Sequence, residues 1–127
     1  MIDSLLVTLY VRNVILSADF YSALLDRKPV HQSENYAQFD LGMHARLGLW
    51  QQGDVVPRYD PSPDNECLCR NEIDFPVETR EAVDALFMRW KTHGVPIVEA
   101  PTEHEFGYGF LVSDPDGHRL RVLSPPG

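Results

Sequence analysis

Cysteine is almost missing from this chain: 127 residues hold two, Cys67 and Cys69. One intervening residue suits a disulfide poorly, and no second pair exists to complete a zinc site. Both read as reduced thiols, and the expected compartment is the cytoplasm. Basic residues are scarce as well, 11 Lys and Arg against 19 Asp and Glu, leaving a net charge of −8. That balance excludes sequence-independent nucleic-acid binding, which needs clustered cations to neutralise phosphates, and it disfavours anionic membrane surfaces. No apolar run approaches ~18 residues, and no basic segment leads into a long apolar one, so neither membrane insertion nor export is expected. The G-x-S-x-G, P-loop and G-x-G-x-x-G patterns are absent. Gly107-Tyr108-Gly109 reads as a loop carrying an aromatic rather than a phosphate cradle.

What is present suits one globular domain, residues 1–127, of ordinary composition with 43% hydrophobic residues. Leu5, Val7, Leu9 and Val11 alternate along a strand, with Leu6, Thr8 and Tyr10 on its other face. Ser17 is the expected N-cap of a helix whose apolar stripe is Phe20, Tyr21, Leu24 and Leu25 and which ends at Lys28-Pro29. Three short strands follow, Val30 to Ser33, Tyr36 to Leu41 and Ala45 to Gln51. Residues 53–70 turn polar and proline-rich, a linker by composition in which Glu66 to Arg70 is read as an extended stretch.

The first pattern then returns. Ile73, Phe75 and Val77 alternate as a strand, and Thr79 caps a helix carrying Val83, Leu86, Phe87 and Trp90 up to His93-Gly94. Val95 to Glu99, Gly109 to Ser113 and Arg119 to Leu123 supply three more strands. Tyr10-Val11-Arg12-Asn13 stands before the first helix as Pro76-Val77-Glu78-Thr79 stands before the second. The chain is therefore a tandem repeat of βαβββ, module one over 4–52, a linker over 53–70 and module two over 71–124. The expected class is α+β, two modules forming a curved mixed sheet with a cleft.

Asp114-Pro115-Asp116-Gly117 is turn chemistry between Phe110, Val112 and Leu120, Val122, and so closes a C-terminal hairpin. With the residues after it, this hairpin resembles the D-P-D-G-N-x-[IL]-E motif of the vicinal oxygen chelate superfamily, the glyoxalase, bleomycin-resistance and dioxygenase proteins. The resemblance runs from Leu6 to Leu123 and implies the same two-module fold, with sites enclosed by pairs of modules, often across a homodimer. In the superfamily's metalloenzymes the final Glu of the motif is a ligand, and here that place is Arg121. The other ligand places fall on Leu6, on Glu72 and near Gly48, so at best one ligand survives. A guanidinium about 4 Å from a divalent ion would repel it by several kcal/mol. His31, His44, His93, His104 and His118 form no H-x₃-H pair, and His118, just after the turn, reads as solvated. The expectation is no catalytic metal, no cofactor and no catalytic residue, with Glu72 and Arg121 a candidate ion pair.

Aromatic residues mark what a cleft without metal would hold. Trp50, Tyr36, Phe106 and Tyr108 lie at strand ends or in loops, where they suit a flat aromatic ligand. Phe39 and Trp90 read as core. The segments Leu9 to Val14, Ala18 to Tyr21, Lys28 to Val30, Leu49-Trp50 and Phe110 to His118 are similar to those of the phenazine antibiotic resistance proteins. That likeness implies metal-free sequestration of a planar tricyclic antibiotic with Trp50 stacked on its rings. Strand parity adds Thr8, Glu72 and Arg121 as cleft-facing residues, Arg121 pairing with a ligand carboxylate or lying flat on a ring. Two alternatives stand beside this binding protein: a divalent-metal lyase, isomerase or dioxygenase of the same superfamily, and a binder of an endogenous aromatic metabolite.

Overall fold

The computed structural model describes residues 1–58 and 71–127 of the chain. The central part of the expected linker, the stretch expected to be extended, and Cys67 and Cys69 lie outside the described residues. The chain divides into two units, Met1–Glu66 and Cys67–Gly127, each built the same way.

The first unit runs β1 (Leu5–Val11), α1 (Val14–Leu25), β2 (His31–Gln32), β3 (Tyr36–Gly42) and β4 (Ala45–Gln51), followed by one 3₁₀ turn, Gln52–Asp54. Its sheet has the order β1-β4-β3-β2, with β1 parallel to β4 and the other pairs antiparallel. The second unit repeats this with β5 (Glu72–Pro76), α2 (Arg80–Thr92), β6 (Ile97–His104), β7 (Gly107–Ser113) and β8 (Arg119–Ser124). Its order is β5-β8-β7-β6, again with the first and last strands parallel. The βαβββ repeat read from the sequence is thus present in both halves. Among the described residues no helix is long and apolar enough to cross a membrane.

In each unit the helix covers one sheet face and leaves the other without a helix. Val14, Ala18, Tyr21 and Leu24 of α1 bury against Leu9, Val11, Ala37, Phe39, Leu47 and Leu49, the alternate residues of β1, β3 and β4. In the second unit Trp90 meets Phe75 and Phe110 edge-on at 6.3 and 5.3 Å, and Phe87 meets Phe110 at 5.4 Å. Phe39 and Trp90 are core residues, as their spacing predicts; Trp90 is 3% exposed.

Several local expectations are corrected. Asn13, not Ser17, caps α1: its side chain accepts from the Leu16 N–H at 3.1 Å, while Ser17 is buried one turn inside the helix. The helix ends at Leu25, ahead of Lys28-Pro29, because Asp26 turns left-handed at φ 53° and its N–H closes onto the Ser22 carbonyl. Leu5 is exposed, so the core face of β1 begins further along, at Leu9 and Val11. Gly107-Tyr108-Gly109 is strand, not loop. A Cβ on either glycine would run into the β8 backbone, at Ser124 for Gly107 and at Val122 for Gly109, so both are there for close strand approach. The strand expected over Val95 to Glu99 instead runs Ile97–His104, pairing with β7 through two register shifts. The Thr79 cap is where expected, its hydroxyl oxygen accepting from Ala82 N–H at 3.1 Å.

Candidate functional site

The helix-free face of the first unit is set by strand alternation. On β1 it carries Leu6, Thr8 and Tyr10; on β4, Arg46, Gly48 and Trp50; on β3, Tyr36 and Gln38. Register places Tyr10, Trp50 and Tyr36 side by side across three neighbouring strands, because Trp50 pairs with both of the others. The Tyr10 and Trp50 rings meet edge-on at 6.3 Å, and His31 of β2 extends the row, 5.9 Å from Tyr36. One step along β4 the row opens onto Gly48, paired with Thr8 on one side and Gln38 on the other. The Tyr36 hydroxyl reaches over this glycine and accepts a 2.7 Å hydrogen bond from Gln38 Nε2. A Cβ at position 48 would sit 2.8 Å from that hydroxyl and 3.2 Å from Thr8 Oγ1. The glycine is what lets the two hydroxyls gather over this buried stretch of backbone beside the aromatic row.

The second unit's helix-free face is charged. Alternation puts Glu72 and Asp74 of β5 there with Arg121 of β8, which pairs in register with Asp74. Arg121 donates from Nε to Glu72 Oε2 at 2.8 Å and from Nη2 to Glu72 Oε1 at 3.4 Å, so the guanidinium and carboxylate lie fork to fork. The Arg121 side chain is only 15% exposed. Its hydrogen bonds hold the Glu72 carboxyl below the usual range, with a further contribution from Asp74. Asp74 is displaced the other way: burial, the hydrogen bond to Glu72 and the Glu72 charge push it up to about 6. Beside this group the His104 ring lies nearly parallel to Phe106, 4.9 Å away at 11°, and the Arg121 guanidinium stands 5.2 Å from the Phe106 centroid. His104 is anchored in turn on Glu99 at 2.7 Å. Phe106 keeps 51% of its surface in solvent.

Six of the seven residues expected at a ligand site therefore fall into two groups, each on its own unit: Trp50, Tyr36 and Thr8 in the first, Glu72, Arg121 and Phe106 in the second. The seventh, Tyr108, does not join them. It shares strand parity with Phe110 and turns toward α2, where its hydroxyl donates to Asp84 at 2.6 Å and Arg80 lies 3.9 Å over its ring. That hydrogen bond raises the phenol above its usual range. The glycine-bounded strand, taken for a loop, is the source of the error. Residues missed on these faces are Tyr10, Gln38 and Asp74, each two places along a strand from a residue already named, so alternation alone contained the signal. The Glu99–His104 contact had none, since it depends on the register shifts of β6.

The places where superfamily metalloenzymes present ligands do not fit a divalent ion. Leu6 has no donor, Gly48 has no side chain and lies beneath the Tyr36 hydroxyl, and Arg121 is a cation that occupies both oxygens of Glu72. Elsewhere among the described residues Asp114, Asp116 and His118 bring ligand atoms within 4.8 Å of one another. Those atoms serve the hairpin turn. Asp114 Oδ1 accepts from the N–H groups of Asp116 and His118 at 2.9 and 2.7 Å, and its Oδ2 meets His118 Nδ1 at 2.7 Å. His118 is thus folded back onto Asp114 with 15% of its side chain exposed, rather than solvated as its place after the turn suggests.

Known proteins share this architecture and sequence. The chain is 34% identical over 120 residues to the phenazine antibiotic resistance protein EhpR of Enterobacter agglomerans, covering 89% of this chain and 84% of that protein. It is 38% identical, with a TM-score of 0.82 and full coverage of both chains, to an Agrobacterium tumefaciens protein solved by NMR. A glyoxalase-related enzyme from Fulvimarina pelagi shares the fold alone, at 19% identity and a TM-score of 0.79 over 94% of this chain and 85% of that one. The paired βαβββ units and the Asp-Pro-Asp-Gly hairpin have their match in a pattern that covers residues 4–122, and the chain belongs to the glyoxalase/bleomycin resistance protein/dioxygenase superfamily.

Proposed function

We propose that this protein binds a small planar aromatic compound, an antibiotic of the phenazine type, and protects by holding it rather than by transforming it. The observation that carries the reading is the row of Tyr10, Trp50 and Tyr36 across three strands, with the Tyr36 and Thr8 hydroxyls gathered next to it over Gly48. A flat ring system can stack on the Trp50 indole in this row, with its polar atoms near the Thr8 and Tyr36 hydroxyls. The relationship to a phenazine antibiotic resistance protein supports the ligand class. The misfit at the superfamily's ligand positions supports binding without a metal. Trp50, Tyr36 and Thr8 are the contact residues of this reading on the first unit; Arg121, Glu72 and Phe106 form a separate candidate ligand surface on the second, and the protein acts as a cytoplasmic homodimer.

Magnitudes allow it. Micromolar affinity needs about −8 kcal/mol. One aromatic stack contributes roughly 1–3 kcal/mol, and apolar burial near 25 cal/mol per Å² supplies much of the rest before association costs are met. The test is calorimetric titration with phenazine-1-carboxamide, a neutral probe, in the presence of a chelator. Saturable micromolar binding with the compound recovered unchanged is the expected result. Binding that appears only after a divalent metal is added, or turnover of the probe, would favour a metalloenzyme instead.

A further inference from the structure

The second unit offers a charge filter. Arg121 is the residue a ligand carboxylate would seek, yet its Nε–Nη2 edge is already taken by Glu72. Asp74 sits directly across from it in register, and Glu99 is near enough to act on the same guanidinium. An approaching carboxylate therefore meets three carboxyl groups around one cation that is already neutralised; Arg119, exposed and paired in register with Glu72, lies nearby, and the His104 ring is held on Glu99. An amine meets acceptors instead. Glu72 and Glu99 keep 32% and 39% of their side-chain surface open, and the half-exposed Phe106, already stacked on His104 with the Arg121 guanidinium 5.2 Å from its centroid, adds apolar surface beside them.

We infer that the second unit's helix-free face, where Glu72 and Arg121 pair with Asp74 and Glu99 beside them, is itself a charge-selective ligand surface: planar aromatics bearing an amine or cationic substituent bind best, neutral ones next, carboxylates last. The inference rests on the proposed aromatic binding and deepens it by naming the substituent. Glu72 acts here as a gatekeeper on Arg121. Removing its charge frees the guanidinium for an anionic ligand, whereas removing Arg121 leaves the carboxylates unopposed.

The experiment titrates the full-length protein near neutral pH with three probes of one ring system: phenosafranin as the cation, phenazine-1-carboxamide as the neutral compound and phenazine-1-carboxylate as the anion. The expected order in the unaltered protein is cation over neutral over anion, with about tenfold between the extremes, or roughly 1.4 kcal/mol. Glu72→Gln should narrow the ratio of cation to anion affinity at least about fivefold, and Arg121→Gln should widen it. A merely structural role would weaken all three probes together in both variants and leave the ratios unmoved, which overturns the inference. So does an unaltered protein that prefers the carboxylate. If none of the three binds, the proposed aromatic binding itself fails, an outcome distinct from binding without charge preference.

Discussion

Gly48→Ala is the substitution through which the candidate face can be examined most closely. The new methyl would stand 2.8 Å from the Tyr36 hydroxyl, 3.2 Å from Thr8 Oγ1 and 3.4 Å from Tyr36 Cε1. The hydroxyl must retreat by at least ~0.5 Å to reach ordinary contact. Its 2.7 Å hydrogen bond from Gln38 is then stretched or lost, at about 1 kcal/mol net. Against this, alanine in a strand gains roughly 0.5–1 kcal/mol over glycine from reduced unfolded-state entropy. The fold should therefore tolerate the change, losing at most about 1 kcal/mol. In a Tyr36→Phe background no hydroxyl remains to displace, and Gly48→Ala should be neutral or slightly stabilising. The double-mutant cycle, measured by urea unfolding, is expected to give about 1 kcal/mol of coupling. Coupling below ~0.3 kcal/mol would be indistinguishable from additivity, and would refute the claim that Tyr36 lies over Gly48.

Three further outcomes follow from the same structure. Gly109→Ala should cost more than Gly48→Ala, about 2–3 kcal/mol by urea unfolding, because its Cβ meets β8 backbone that cannot rotate away. Met43 and His44 both have positive φ, 50° and 63°, at the tip of the β3–β4 hairpin, where Asn-Gly is preferred, and Met43 is 98% exposed. Met43→Asn with His44→Gly should raise stability by about 1 kcal/mol, seen as a higher unfolding midpoint at unchanged m. Asp74 has a folded pKa of about 6, above its unfolded value of 3.8, so its contribution favours folding at low pH and is lost as pH rises through 6. Asp74→Asn should thus be near neutral in stability around pH 4 and stabilising above pH 6. Solvent exposure of the carboxyl limits that gain to about 1 kcal/mol.

The repeat made the fold legible. Two stretches with the same order of alternation, cap, helical spacing and three short strands could hardly mean anything but two like units, and Thr79 and the β4 boundaries fell where pattern put them. Errors arose where a local rule had a competitor. Ser17 is as good a cap by type as Asn13, but Val14, Ala18, Tyr21 and Leu24 make one buried stripe only if the helix starts at Val14. Gly107 and Gly109 looked like loop residues because the reason for them, the close β8 backbone, lies across the sheet. Strand parity found Thr8, Glu72 and Arg121 together with their facing direction, and the Glu72–Arg121 pair could be anticipated from it. It could not show that the pair would close fork to fork, since that depends on register between β5 and β8. Tyr36 over Gly48 is a tertiary contact, and no pattern along the chain announces it.

Trp50 is where the central claim is most exposed. Titration of the chelator-treated protein with phenazine-1-carboxamide, followed by tryptophan fluorescence in the unaltered chain and in Trp50→Ala, separates this indole from Trp90, which α2 buries against Phe75 and Phe110. The account predicts saturable quenching at micromolar concentration that is lost in Trp50→Ala, with affinity reduced about 5- to 150-fold for the loss of one stack. Quenching and affinity that persist unchanged in Trp50→Ala would contradict it.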